Sequence, residues 1–217
     1  ACNFNISSLI DDGSCNYPEF GYDCEGNITE YYIGMEVEGG IVFYVDSSGQ
    51  RGLVASFEDL EGTYEWGCFG QNVYGADEQY IGSGYQNTID IINQGCISQN
   101  GGITAAQATL NYESNGYNDW FLPSLQELLL MYNTLGDNPL NDASFELEDY
   151  SWYWTSSEHD INNSWNVNFI NGDDDHDKQY EFDNVRPVRA FGYTLGCIDP
   201  LASNFNPLAN MSDGSCF

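Results

Sequence analysis

The chain has 217 residues, 41% hydrophobic and 15% aromatic, enough for one medium domain with appendages and a proper core. Four basic residues face 34 acidic ones, a formal net charge of −30. That balance excludes nucleic acid as a partner, opposes anionic membranes and sulfated polysaccharides, and makes cations the natural counter-partners, although acidity also serves solubility alone.

No apolar run reaches the roughly 18 residues of a membrane span, so membrane insertion is not expected. The opening ACNFNISS has neither the basic start nor the apolar stretch of a signal peptide. The expectation is a removed leader, or an internal piece of a longer exported protein. Seven cysteines stand at 2, 15, 24, 68, 96, 197 and 216, none in a C-x-x-C pair. With only His159 and His176 beside them, disulfides formed in an oxidising compartment are the better reading than zinc. The expected location is extracellular or at the cell surface.

After an N-terminal stretch (1–30) comes a central domain (31–191). GGIVFYV (39–45) and RGLVAS (51–56) predict two strands joined by the turn DSSGQ. QNTIDIINQ (86–94) predicts a short helix, and Ala-rich TAAQATLNYE (104–113) a second. LPSLQELLLMYNTLG (122–136) is the clearest helix: Pro123 or Ser124 starts it, Glu127 completes a capping box with Ser124, and Gly136 stops it. Strands follow. In YSWYWTSS, Tyr150, Trp152 and Trp154 alternate with smaller residues; in SWNVNFI, Trp165, Val167 and Phe169 share one face and Asn166 and Asn168 the other. Trp152, Trp154 and Trp165 are read as core between sheet and helix, with stacking on sugar rings as the alternative. RPVRAF (186–191) closes the domain. Arg186 and Arg189 face opposite sides, and at least one is expected to pair with a buried carboxylate. The fold class is α+β, helices in the middle and antiparallel strands at both ends.

NGDDDHDKQ (171–179) carries Asp173, Asp175 and Asp177 at D-x-D-x-D spacing, but Lys178 and Asn184 stand where an EF-hand needs Gly and Glu. It is read as a solvated hairpin tip, cation binding being the alternative. Cys68 and Cys96 have no Lys or Arg between them to activate a thiol, so they are read as a structural disulfide. The candidate ligand contacts are Glu158, His159, Asn166, Asn168, Asp173 and Asp175, the polar side chains of the strands' open face and loops.

The C-terminal stretch (192–217) repeats the start. ACNFNISSLIDDGSC (1–15) aligns without a gap on ASNFNPLANMSDGSC (202–216). In the second copy Cys197 and Cys216 would staple a small module. In the first, the partner of Cys15 would fall before Ala1, while Cys2 replaces Ser203 and needs a partner of its own. The expected pairs are Cys197–Cys216, Cys2–Cys24 and Cys68–Cys96, with Cys15 left over; Cys2–Cys15 with Cys24 unpaired is the competitor.

These ends resemble the GC-x-D-P…DGSC repeats of large secreted bacterial proteins of Bacteroidetes type, related to thrombospondin type 3 repeats. That resemblance implies calcium (Ca2+) near Asp199, Asn204, Asn206 and Asp213, and near Asn3, Asn5 and Asp12. The alternative is that these side chains make only Asx turns. Between the ends, NGYNDWFLPSLQELLLMY, YWTSSE, SWNVNFING and VRPVRAF, in that order, resemble the Lcl C-terminal-type domain. The resemblance implies a C-type-lectin-like fold on a secreted or surface protein that binds a partner: a glycan or protein on another surface, or neighbouring domains of a fibre. The family's sulfated glycosaminoglycan ligand needs basic surface, and this chain offers only Arg51, Lys178, Arg186 and Arg189. The EPN and QPD calcium–sugar signatures are absent. No catalytic constellation can be assembled, so a formylglycine-generating type of enzyme is the weakest reading and a non-enzymatic adhesion segment the first.

Overall fold

A computed structural model describes residues 1–7, 10, 13–136, 151–209, 211–212 and 215–217. The first sheet has the order β1-β2-β3-β9, from β1 (Glu36–Val37), β2 (Gly40–Val45), β3 (Gly52–Ser56) and β9 (Val188–Phe191), all antiparallel. The second has the order β5-β6-β7, from β5 (Trp152–Asp160), β6 (Asn163–Asn168) and β7 (Asp174–Lys178), also antiparallel. A short ladder joins β4 (Tyr64–Glu65) to β8 (Phe182–Asp183). Near the C-terminus β10 (Leu195–Gly196) pairs in parallel with β11 (Met211–Ser212). Helices α1 (Gly84–Gln94), α2 (Ala105–Leu110) and α3 (Leu125–Met131) lie between β4 and β5. The chain is therefore α+β.

The first sheet is covered on both faces, which explains the near-continuous apolar run of β2. Ile41, Phe43, Leu53 and Ala55 pack with Leu125, Leu128 and Met131 of α3 and with Tyr153, Val167 and Phe169, so one core lies between the two sheets. Val42 and Val54 turn the other way, onto Trp120, Met35 and Phe191. Trp154 points away from the first core into a further cluster with Trp66, Val185 and Ile91 of α1. Trp66 Nε1 donates to the Thr155 carbonyl at 2.8 Å and Trp154 Nε1 to that of Tyr64 at 2.7 Å, so neither indole is buried unsatisfied.

The capping box of α3 is present: Ser124 Oγ accepts from Glu127 N, and Glu127 Oε2 accepts from Ser124 N at 2.8 Å. Glu127 Oε1 also accepts from Gly82 N at 2.7 Å. The approach of α1 is so close that a Cβ on Gly84 would lie 2.2 Å from Glu127 Oε2; only glycine fits. Ser156 and Ser157 of the YWTSS block clamp the same corner. Ser156 N donates to the Pro123 carbonyl, Ser157 Oγ donates to Glu78 O at 2.7 Å, and it accepts from Leu125 N at 3.2 Å.

Several expectations are corrected. The helix read over 104–113 is shorter: Thr104 caps it and Asn111 ends it, because Tyr112 turns to pack edge-on against Trp120. The last turn of the 122–136 helix is a π-helical turn, Tyr132–Gly136. Residues 174–178 are strand β7, not a hairpin tip; the tip is the turn just before it. Trp152 and Trp165 are only half-buried, unlike Trp154. Tyr150 lies outside the described residues. The disulfides are Cys2–Cys24, Cys68–Cys96 and Cys197–Cys216, and Cys15 is exposed and unpaired.

Candidate recognition face on the β5–β6–β7 sheet

The register of the second sheet sets out its chemistry. Trp165 of β6 stands opposite His176 of β7, and Trp154 and Asp175 flank Asn166. Opposed residues share a face, so Trp165 and His176 emerge on one side and Asn166 on the other. Glu158 stands opposite Ser164, on the Asn166 side, so alternation puts His159 on the Trp165 side, where its ring meets Trp165. The rings of His159 and His176 stack, with centroids 3.9 Å apart and planes 14° from parallel. Both meet Trp165 edge-on, at 4.8 and 5.7 Å. The two imidazoles are exposed, and Trp165 is anchored from beneath by the inter-sheet core.

Carboxylates rim this platform. His159 Nδ1 lies 3.2 Å from Asp160 Oδ2, and His176 Nδ1 lies 3.4 Å from Asp175 Oδ1. Asp160 also accepts from Asn162 N and Asn163, and the Asn163 side chain foremost holds its carboxyl down at about 2. It is therefore a fixed negative charge.

The six candidate contacts divide between surface and interior. His159, Asp173 and Asp175 are exposed, and Asn168 is half-buried, with its Oδ1 accepting from Ile170 N. Glu158 and Asn166 are buried and turn inward. Glu158 accepts from Val73 N at 3.1 Å and from Gln179 Nε2 at 3.3 Å, and burial pushes its carboxyl up to about 7. Asn166 Nδ2 donates to Asp177 and Asp183. The reading of the Asn face as open fails because residues 182–185 and Trp66 cover it. His176 and Asp160 are surface groups outside the expected contacts, and Trp165, expected in the core with stacking on sugar rings as the alternative, is half-buried beside them. The missing signal is the β6–β7 register, which only a strand at 174–178 supplies.

The arginines are spent on structure. Fully buried Arg186 pairs with Asp59, which also accepts from Tyr153 Oη, and with the Ser56 carbonyl. Arg189 pairs with Asp119 and Glu38 and lies 3.8 Å from the Tyr117 ring centroid. Arg51 is on Asp46. No basic patch is left for an anionic ligand among the described residues.

Of the expected calcium ligands, Asp12 and Asp213 lie outside the described residues. The other five serve the backbone. Asn3 Nδ2 donates to the Ser14 carbonyl and its Oδ1 accepts from Asn16 N; Asn204 does the same with Ser215 and Phe217. Cys2 N→Asn16 O and Ser203 N→Phe217 O match likewise. Asn5, Asn206 and Asp199 each accept the N–H two residues on, an Asx turn. Among the described residues no three Asp, Glu, His or Cys side chains group as a metal would need.

Comparison with known proteins places the centre of the chain. The family described as the Lcl C-terminal domain matches residues 77–189. The chain belongs to this Lcl C-terminal domain family. The matched stretch contains the whole platform and its rim, while β9 of this Lcl C-terminal domain completes its sheet with β1–β3 from upstream of the match. No curated protein matches the chain. Among solved structures, a fimbrial protein from Bacteroides ovatus ATCC 8483 is similar at 15% identity and a TM-score of 0.41, over 63% of this chain and 35% of that one. The chain thus spans about a third of that protein's length.

Proposed function

We propose that this chain is a non-enzymatic recognition segment of an extracellular or cell-surface protein. In this reading its Lcl C-terminal domain is C-type-lectin-like, it binds an uncharged glycan, and its ends are spacer modules for which calcium is the proposed cation. The observation that carries the reading is the exposed His159–His176 stack on Trp165, rimmed by Asp160 and Asp175. Sugar rings present C–H faces that pack on aromatic planes and hydroxyls that donate to carboxylates. Two carboxylates beside a ring platform suit that pairing, and a net charge of −30 repels anionic chains. Three disulfides fit an oxidising compartment.

A glycan array read with the intact chain tests this. Neutral glycans should be captured, and H159A/H176A, which removes only exposed rings, should weaken capture by about tenfold or more, the scale of a lost stacking surface. Capture that ignores this double substitution, or no capture of any neutral glycan, overturns the reading.

A further inference from the structure

The outer edge of the first sheet, at β9, is open at one residue. Val188 N donates to the Phe121 carbonyl at 3.0 Å and Phe121 N to the Val188 carbonyl at 2.9 Å, so Val188 turns its main chain outward, to the segment before α3. Pro187 faces the other way and accepts from Ser56 N, and Arg189 and Phe191 stand opposite Val54 and Gly52 of β3. Main-chain groups along an antiparallel strand alternate sides. Arg189 and Phe191 therefore serve β3, while Ala190, two beyond Val188, aims its N–H and C=O outward. The next rung on that side would join Ala190 to Asp119. It does not form: the Phe121–Val188 bridge is isolated, and no described residue takes the outward groups of Ala190.

A cleft of about 100 Å3 opens where that rung is missing, between Asp119 and Ala190, walled by the rings of Tyr85, Phe121 and Tyr193. Its size limits its guest. A cavity of about 150 Å3 holds benzene, so this one takes the end of one side chain and is too small for a sugar ring. Charge limits the guest further. Asp119 is exposed, and the Arg189 that pairs with it is shared with Glu38, so two carboxylates meet one guanidinium. The local excess is negative, as it is over the whole chain at −30, and both favour a cation.

We propose that this edge binds an extended segment of a partner protein that carries a lysine. The segment's main chain pairs with the N–H and C=O of Ala190 and adds a strand to the sheet, as exposed edges allow. The lysine's methylenes pack on Tyr85, Phe121 and Tyr193, and its ammonium reaches Asp119. One rung is a weak hold by itself; the cleft adds apolar contact and the selectivity for a basic side chain. This site lies on the other sheet from the His159–His176 stack, so it stands or falls apart from glycan binding there.

Hydrogen exchange and peptide binding, both followed by amide NMR on the full chain, test this. In the free chain the Ala190 amide should exchange at least tenfold faster than those of Val188 and Arg189, which are held in the sheet. The probe is the capped peptide Thr-Val-Lys-Val-Thr. It should bind saturably and slow exchange at Ala190. Norleucine in place of the peptide's lysine, or D119N in the protein checked for folding by circular dichroism, should weaken binding about fivefold, the scale of one partly exposed ion pair. H159A/H176A should leave binding unchanged. The proposal falls if Ala190 is as protected as its neighbours in the free chain, or if the lysine peptide does not bind. It falls equally if the norleucine peptide binds as tightly, if folded D119N binds as wild type, or if H159A/H176A removes binding.

Discussion

Glu127 carries a local signal that the fold turns to another use. Its spacing from Ser124 predicts a capping box, which forms, and α1 also closes over it so that it is fully buried. Desolvation pushes its carboxyl up to about 6, against the pull of hydrogen bonds from Ser124, Gly82 and Gly84. Below about pH 4.5 the group is protonated folded or unfolded and the shift has no effect on stability. Between there and about pH 6 the folded state holds a proton that the unfolded chain has lost, so this group's contribution falls as pH rises, then stays flat. Comparing wild type with E127Q by urea denaturation isolates the effect. The stability advantage of wild type should shrink by about 2 kcal/mol from pH 4.5 to pH 7, one pKa unit being about 1.4 kcal/mol. A pH-independent difference would place the carboxyl in water.

At the scale of elements, β2, β3 and α3 were legible because apolar period and caps agree in them. β7 was not. DDHDK has no apolar alternation, and its strand state comes entirely from pairing with β6. As the outer strand of its sheet it carries charges that discourage further pairing, so the features that made it read as a loop suit an edge. The end modules were legible as a repeat, and the matched Asn3 and Asn204 staples give that repeat a shared hydrogen-bond pattern. They bury little, so their order depends on those bonds, on the disulfides and on the calcium we propose for them. Limited proteolysis checks this: N204A should speed cleavage between Cys197 and Cys216 several-fold while the central domain stays intact. Adding Ca2+ to wild type should slow it. Cleavage at one rate with Ca2+ or EDTA would remove calcium from the account of the ends.

For the whole molecule, the α+β class could be read from order, and spacing put the three cysteine pairs first while leaving Cys2–Cys15 as a competitor, whereas the covering of the Asn166 face could not be read. Alternation tells that a strand has two faces; it does not tell that Asn166 meets aspartates from β7 and β8 instead of water. The ring platform was half-legible for the same reason: His159 was a candidate, but Trp165 and His176 come together only through register. The Cys68–Cys96 link ties the Trp66 cluster to the end of α1, across a sequence separation of 28. C68S/C96S should cost about 2–4 kcal/mol in chemical denaturation; a cost near zero would show that packing alone holds this corner. The flanks of the domain also meet. Tyr31 N reaches the Gly49 carbonyl, Tyr31 and Phe191 rings lie 4.4 Å apart, and Gly192 passes so near Gln50 O that a Cβ there would be at 2.3 Å. Tension drawn along the polypeptide is therefore handed across at the β2–β3 turn and loads the first sheet. The His159–His176–Trp165 stack stands on the other sheet, coupled to that junction through the core the two sheets share.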